Sequence, residues 1–263
     1  MNNAQKAIIG KDIKEIVGNK QIFIPMIIVP IIFMVIMPLG LLILSNYGDF
    51  TAENLKELKF INDLPFIKSG YSTQQTLILV ALEYIFPSLF MIIPIMNSSI
   101  IGASSFVGEK EHKTLETLLY APITVNELFT AKVVGVFLPA YISAFVACLL
   151  FGIVMNVGGY IYFSRLIFPS IKWFLIIFWL TPAITLGGII FTVLISAKAK
   201  TFQSAQQMSG LIVLPIVLIL VGQINGLFLL SDKIVIIVGL VLFIIDFILI
   251  RKTAKGFSPE KLI

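Results

Sequence analysis

Cysteine, histidine and charge are all scarce in this chain of 263 residues, and each scarcity removes a class of function. The single cysteine, Cys148, lies inside an apolar run, so no disulfide forms within the chain and the residue is expected to pack. The single histidine, His112, rules out a His-Glu-x-x-His zinc helix, and its place in a polar segment rules out a Ser-His pair within an apolar run. No Ser-Lys pair falls at one depth in those runs. A phosphate-cradling loop is missing too, because Gly102 and Gly108 are one residue too far apart for it and Glu109 stands where its lysine belongs. If ATP is used, another chain hydrolyses it. The chain is thus expected to be no enzyme and to bind no cofactor or metal itself. Neither a basic stripe nor an aromatic platform points to nucleic acid.

What remains is apolar: 58% of residues are hydrophobic, 13% are charged, and the mean hydropathy is +1.02. A soluble core of this length needs far less apolar surface. Six runs have the length and lack of charge of membrane helices: Ile22 to Leu44, Leu77 to Ile101, Val133 to Met155, Trp173 to Ile195, Met208 to Leu230, and Ile234 to Ile250, the shortest. None alternates apolar and polar residues as a barrel strand does, so an all-α bundle is expected. It fills residues 1–263 as one transmembrane domain, with no room for a soluble catalytic unit and with the first span, too long for a signal-peptide core, retained. Pro25, Pro30 and Pro38 mark the first span for a kink.

Basic residues set the expected orientation, because they resist translocation. With the N-terminus inside, thirteen lysines and arginines fall in inner segments and six (Lys56, Lys59, Lys68, Arg165, Lys172 and Lys233) in outer ones. Both termini are therefore expected in the cytoplasm of a cell-membrane protein. Tyr47, Tyr71, Tyr160, Tyr162 and Trp173 then fall at outer span ends, where amphipathic rings favour the headgroup layer.

Three polar segments interrupt the spans. Residues 1–20 place Ile9, Ile13, Ile16 and Val17 at helical spacing with Lys11, Lys14 and Glu15 toward the other side, which reads as an interfacial amphipathic helix or, more plainly, a solvated tail. Residues 46–76 form an outer loop in which Asn54 to Ile61 make one short helix. Residues 108–132 read as two helices. The first runs from Glu109 for about three turns, supported by Glu109 and Lys113 at i,i+4 and stopped at Ala121-Pro122; the second starts at a Thr124-to-Glu127 capping box and runs into the third span. Such a pair suits docking another protein; the plainer reading is a loop whose leucines rest on the bilayer.

Polar groups within the apolar runs carry a cost unless paired or hydrated. Asp246 reads as an interfacial partner of Arg251 or Lys252. Glu83 is a candidate for lining a water-filled path, or else holds a neighbouring helix by a hydrogen bond. Asn97, Gln223 and Asn225 add polar capacity to the same candidate translocation path, with Ser98 and Ser99 beside them. Ser98/Gly102 and Gly222/Gly226 are small-xxx-small pairs, which serve packing within one chain or between two. Little more than Ser231 and Asp232 separates the fifth and sixth spans as read, which leaves little space for re-entrant helices.

The run GEKEHKTLETLLYAPITVNELFTAKVVG resembles the cytoplasmic segment of type 2 ATP-binding-cassette export permeases. The positions that match are Glu109, Glu111, Thr114, Leu115, Glu116, Leu118, Leu119, Pro122 and Lys132; at Lys113, relatives often carry glycine. The polar turn SAKAKTFQSAQQMSG before the fifth span also fits that family, and the terminal GFSPEKLI resembles the ends of its sodium-exporter-like permeases. The resemblance implies a permease subunit that forms the translocation path of an exporter and is coupled, through Glu109 to Pro122, to a separate P-loop ATPase subunit holding ATP and Mg. It also implies a second permease chain, identical or closely homologous, in the lipid bilayer. It leaves the cargo open. Two other classes compete: a stand-alone transporter or channel driven by an ion gradient, and a membrane scaffold or immunity protein.

Overall fold

The computed structural model describes residues 1–47, 70–112, 114, 123–225, 227 and 229–256. Among them every regular element is helical. A first helix, α1 (Asn3–Gly18), precedes six helices long and apolar enough to cross a membrane: α2 (Lys20–Asn46), α3 (Thr73–Glu111), α4 (Val125–Phe163), α5 (Ile171–Ser196), α6 (Phe202–Ile224) and α7 (Asp232–Thr253). The expected short helix at Asn54 to Ile61 lies outside the described residues.

Two helices exceed what the hydropathy pattern predicts. Both α3 and α4 run for 39 residues; at 1.5 Å per residue that is about 58 Å, nearly twice a hydrocarbon core of about 30 Å. The second span therefore continues past Ile101 as far as Glu111, because Ser105 and Glu109 find partners inside the protein. The capping box at Thr124 is present as expected: Glu127 N donates to Thr124 Oγ1 at 3.3 Å and Thr124 N to Glu127 Oε2 at 2.8 Å, and the helix runs unbroken into the third span.

The centre of the bundle is α3 against α5. Gly188 makes their approach possible, since a Cβ there would overlap Ser98 Oγ, and a Cβ on Gly102 would stand 3.2 Å from Thr192. The Ser98/Gly102 pair thus packs within the chain. Gly222 is buried, while Gly226 lies outside the described residues. Around this axis stand α2, α4, α6 and α7, whose outer faces expose residues such as Ile28, Ile36, Leu218 and Ile237, as membrane spans do.

Four segments widen into π-helix: Ile32–Ile36, which follows Pro30 in α2; Ala81–Ile85 and Ala103–Gly108, both in α3; and Ile176–Leu180 in α5. Between α4 and α5 the chain turns back along α4. Asn156 holds that return, its Oδ1 accepting from Ile167 N and Phe168 N at 3.0 Å and its Nδ2 donating to Phe168 O at 2.8 Å. Lys172 and Trp173 consequently enter the bundle. Lys172 is 5% exposed and Trp173 fully buried among Phe90, Phe151 and Phe168, so neither belongs to an outer loop or an aromatic belt as expected.

The fifth span is shifted toward the N-terminus. It begins at Phe202, capped by Thr201, and ends at Ile224, so residues 225–231 connect it to α7, a longer connection than expected. Gln223 draws this connector back onto the bundle: its amide oxygen accepts from Leu230 N at 3.1 Å, while its nitrogen faces Ser88 Oγ at 2.5 Å and Tyr84 O at 3.2 Å. Leu230 then fills the core at 3% exposure.

Candidate functional site

The densest group of charges lies where α1, α3 and α4 meet. In α1 the residues Gln5, Ile8, Ile9, Asp12 and Ile16 form the buried stripe. Ile8 and Ile9 pack on Leu128 and Ala131 of α4, while Ile16 joins Ile22, Phe106 and Phe129. Of the four residues that periodicity placed on the apolar face, Ile9 and Ile16 pack on the protein, while Ile13 and Val17 remain exposed. Gln5 and Asn2 bond the start of α4, through Gln5 Nε2 to Glu127 O at 3.3 Å and Asn2 Nδ2 to Glu127 Oε1 at 3.0 Å.

Asp12 brings a carboxylate onto that stripe, and its surroundings explain how it is tolerated. Its Oδ2 accepts from Ser105 Oγ at 3.2 Å and its Oδ1 lies 3.5 Å from Lys11 Nζ. Beside it Glu109, 3% exposed, pairs with Lys11 through Oε1 and with Lys132 through Oε2. Lys132 has no exposed surface and also donates to Ser105 O at 2.8 Å and Ser105 Oγ at 3.3 Å. Two ammonium groups and two carboxylates thus balance in a quartet in which Asp12, Glu109 and Lys132 are buried while Lys11 closes it from the exposed side, with Glu15 3.6 Å from Lys11. A buried charge is retained when it is paired and hydrogen-bonded in this way. Oxygens of Asp12, Glu15 and Glu109 come within 4.8 Å of one another, and the ammonium groups of Lys11 and Lys132 beside them offset two of the three negative charges.

The electrostatics of α1 follow from this packing. Burial pushes the Lys11 ammonium down, but the hydrogen bond and charge of Glu109, with Asp12 and Glu15, outweigh it and hold the group above its ordinary value of 10.5. Burial holds Asp12 above the ordinary 3.8, and Glu109 adds to that, against the opposing pull of Lys132, Lys11 and Ser105.

Glu111 faces another way. Its Oε2 accepts from Phe202 N at 2.7 Å, which satisfies one of the open amides at the start of α6, where a carboxylate also complements the helix dipole. Thr114 Oγ1 donates to Glu109 O at 3.3 Å just after the helix ends at Glu111. Leu115, Glu116, Leu118, Leu119 and Pro122 lie outside the described residues. The end of α3 is therefore held by two carboxylates, one gripping α1 and α4 and the other α6.

Of the four polar residues expected along a path, Glu83 and Gln223 meet at one turn of α3, while Asn97 and Asn225 have partners elsewhere. Glu83 pairs with Lys172, Oε2 to Nζ at 3.3 Å, and that ammonium also donates to Glu83 O at 2.8 Å and sits 4.2 Å from the Tyr84 ring centre. Gln223 reaches the same turn through Tyr84 O. Asn97 is fully buried farther along α3 and donates to Ser143 Oγ on α4 at 2.8 Å. Asn225 is exposed and bonds its own helix at Val221 O, 2.8 Å away. Asp246 forms no ion pair with Arg251 or Lys252, contrary to expectation; Arg251 lies over the Phe247 ring instead, 4.1 Å from its centre.

Lys11, Asp12 and Lys172 were absent from the candidate site residues, and Lys132 entered only through resemblance. Asp12 carried a signal: at four residues from both Ile8 and Ile16 it stands on the apolar stripe, and a carboxylate there requires a buried cation. A family model described as ABC-2 family transporter protein matches residues 6–237. No curated protein and no solved structure matches the chain.

Proposed function

The chain belongs to the ABC-2 transporter family, and on that premise we propose that it is the permease subunit of an ATP-driven exporter, worked by a separate P-loop ATPase subunit that holds ATP and Mg. The observation that carries the coupling is the divergence of Glu109 and Glu111. Within one helical turn they bind α3 to α1 and α4 on one side and to α6 on the other. Force applied to the segment after Glu111 would reach four helices at once, without side chains having to repack between them.

In this reading the end of the bundle carrying α1 faces the cytoplasm, both termini lie there, and residues 108–132 dock on the ATPase through Leu115, Glu116, Leu118, Leu119 and Pro122. Glu109 acts inside the permease, because its carboxylate is already committed to Lys11 and Lys132. Residues 1–263 act as one membrane domain, and two such domains, identical or closely homologous, enclose the path. Polar groups along α3 and α6, Glu83, Asn97, Gln223 and Asn225, are placed to meet cargo once the halves separate. The terminal GFSPEKLI supports the sodium-exporter-like branch.

The test is purification of the full chain in mild detergent from its native host, with ATPase assay of the copurifying protein. A P-loop subunit whose hydrolysis responds to Glu116→Lys supports the reading. A chain that purifies without an ATPase and moves cargo alone in vesicles refutes it.

A further inference from the structure

Asp246 is the one acidic residue in the apolar stretch of α7, and it is 3% exposed. Its Oδ2 has no hydrogen-bond partner among the described residues. Its Oδ1 lies against α5, 3.4 Å from where a Cβ on Gly187 would stand, an ordinary van der Waals contact. Beside it a groove of about 470 Å³ runs between α5 and α7, lined by Trp179, Leu186, Leu240, Phe243, Phe247 and Asp246 among others. The wall is fixed: Trp179 Nε1 donates to Ile236 O at 3.1 Å, and its ring tilts against Phe243 with centres 5.1 Å apart.

Each of these features favours the same kind of occupant. A carboxyl group in hydrocarbon gains most from a cation that brings its own apolar body, and aromatic faces attract the same charge. A plain acyl chain would fill the groove without meeting Asp246. A helix from a second copy would need a basic residue at that depth, and none of the exposed faces of α2, α6 or α7 carries one between its ends. We propose that this groove binds a lipophilic ammonium ion drawn from the bilayer, with its nitrogen at Asp246 and its tail along Trp179 and Phe243. The site does not depend on how the protein is energised.

The protein supplies its own reporter, because Trp179 is one of only two tryptophans and the other, Trp173, is fully buried. The full chain in phosphatidylcholine nanodiscs is titrated with octylammonium while tryptophan emission is followed. The expected result is a saturable change that Trp179→Phe abolishes, that Asp246→Asn weakens at least tenfold, that Asp246→Glu retains, and that octanol does not reproduce. Equal saturation in Asp246→Asn would mean apolar partition only and overturns the proposal. So does a linear response in the wild type, or a signal that survives Trp179→Phe. Emission that tracks protein density and ignores the amine would assign the groove to a second copy and overturns it as well.

Discussion

Lys172 donates to the backbone carbonyl of Glu83 over 2.8 Å and pairs with the same residue's carboxylate over 3.3 Å. Lys132 repeats the arrangement toward the other end of α3, donating to Ser105 O at 2.8 Å while pairing with Glu109. Both accepting carbonyls lie in wide turns, Ala81–Ile85 and Ala103–Gly108. A π turn shifts the hydrogen-bond ladder and turns carbonyls sideways, where a buried donor from a neighbouring helix can reach them. Helix α3 is thus held by one lysine from α4 and one from α5, each doing the work of a cap in mid-helix.

Removing one partner of a buried pair leaves an uncompensated charge, which costs about 3–5 kcal/mol. Lys132→Ala is therefore expected to lower the thermal midpoint of the detergent-solubilised protein more than the double variant Lys132→Met with Glu109→Gln does. Equal losses in the single and double variants would show that the charges do not act as a pair.

The same cycle at the other latch reads the standing of Glu83. Lys172→Met and Glu83→Gln are each expected to destabilise, with a coupling of about 0.5–3 kcal/mol between them. Additive effects, measured by denaturant titration in mixed micelles, would return Glu83 to an independent role.

Glu111→Ala removes a cap from α6, a loss of about 1 kcal/mol in stability. Under the proposed function it also loosens the link from the docking segment to α6. The expected outcome is an assembled complex whose ATPase no longer responds to cargo. Glu111→Asp, which keeps the charge, is expected to restore part of the response.

The α1 charges make stability depend on pH. Asp12 has its folded value raised, so between 3.8 and that higher value the folded state holds more proton than the unfolded one. Its contribution is present at low pH and declines as pH rises through that window. Asp12→Asn lacks the decline, so its midpoint relative to wild type is expected to rise with pH from about 4 upward. Lys11 is also raised, so its contribution holds below 10.5 and is lost as pH climbs through the folded value. Melting curves across both ranges check the two signs.

Gly188→Ala is expected to cost about 1–3 kcal/mol through overlap with Ser98 Oγ. Ser98→Ala in the same chain removes the oxygen and is expected to recover part of that loss, as measured by thermal unfolding.

Six spans, the all-helical class, the capped start of α4 and its continuation into the third span were legible in the sequence, because length, missing charge and a capping box act over a few neighbouring residues. The same local rules misplaced the ends of α3 and α6. Ser105 and Glu109 look like solvent-facing residues until α1 and Lys132 supply their partners, and Gln223 looks like a mid-span polar group until Leu230 folds back onto it.

Hydropathy and spacing thus determined that this polypeptide crosses a membrane as helices and where the polar segment between its second and third spans lies, since both follow from the cost of bare backbone and charge in hydrocarbon. Only the tertiary structure decided that Lys11, Asp12, Glu109 and Lys132 share one site, that Lys172 enters the bundle, and that Asp246 stands apart from Arg251. Ion pairs join residues far apart in the chain, as Lys11 and Glu109 are, and no local pattern chooses among the cations available to each carboxylate.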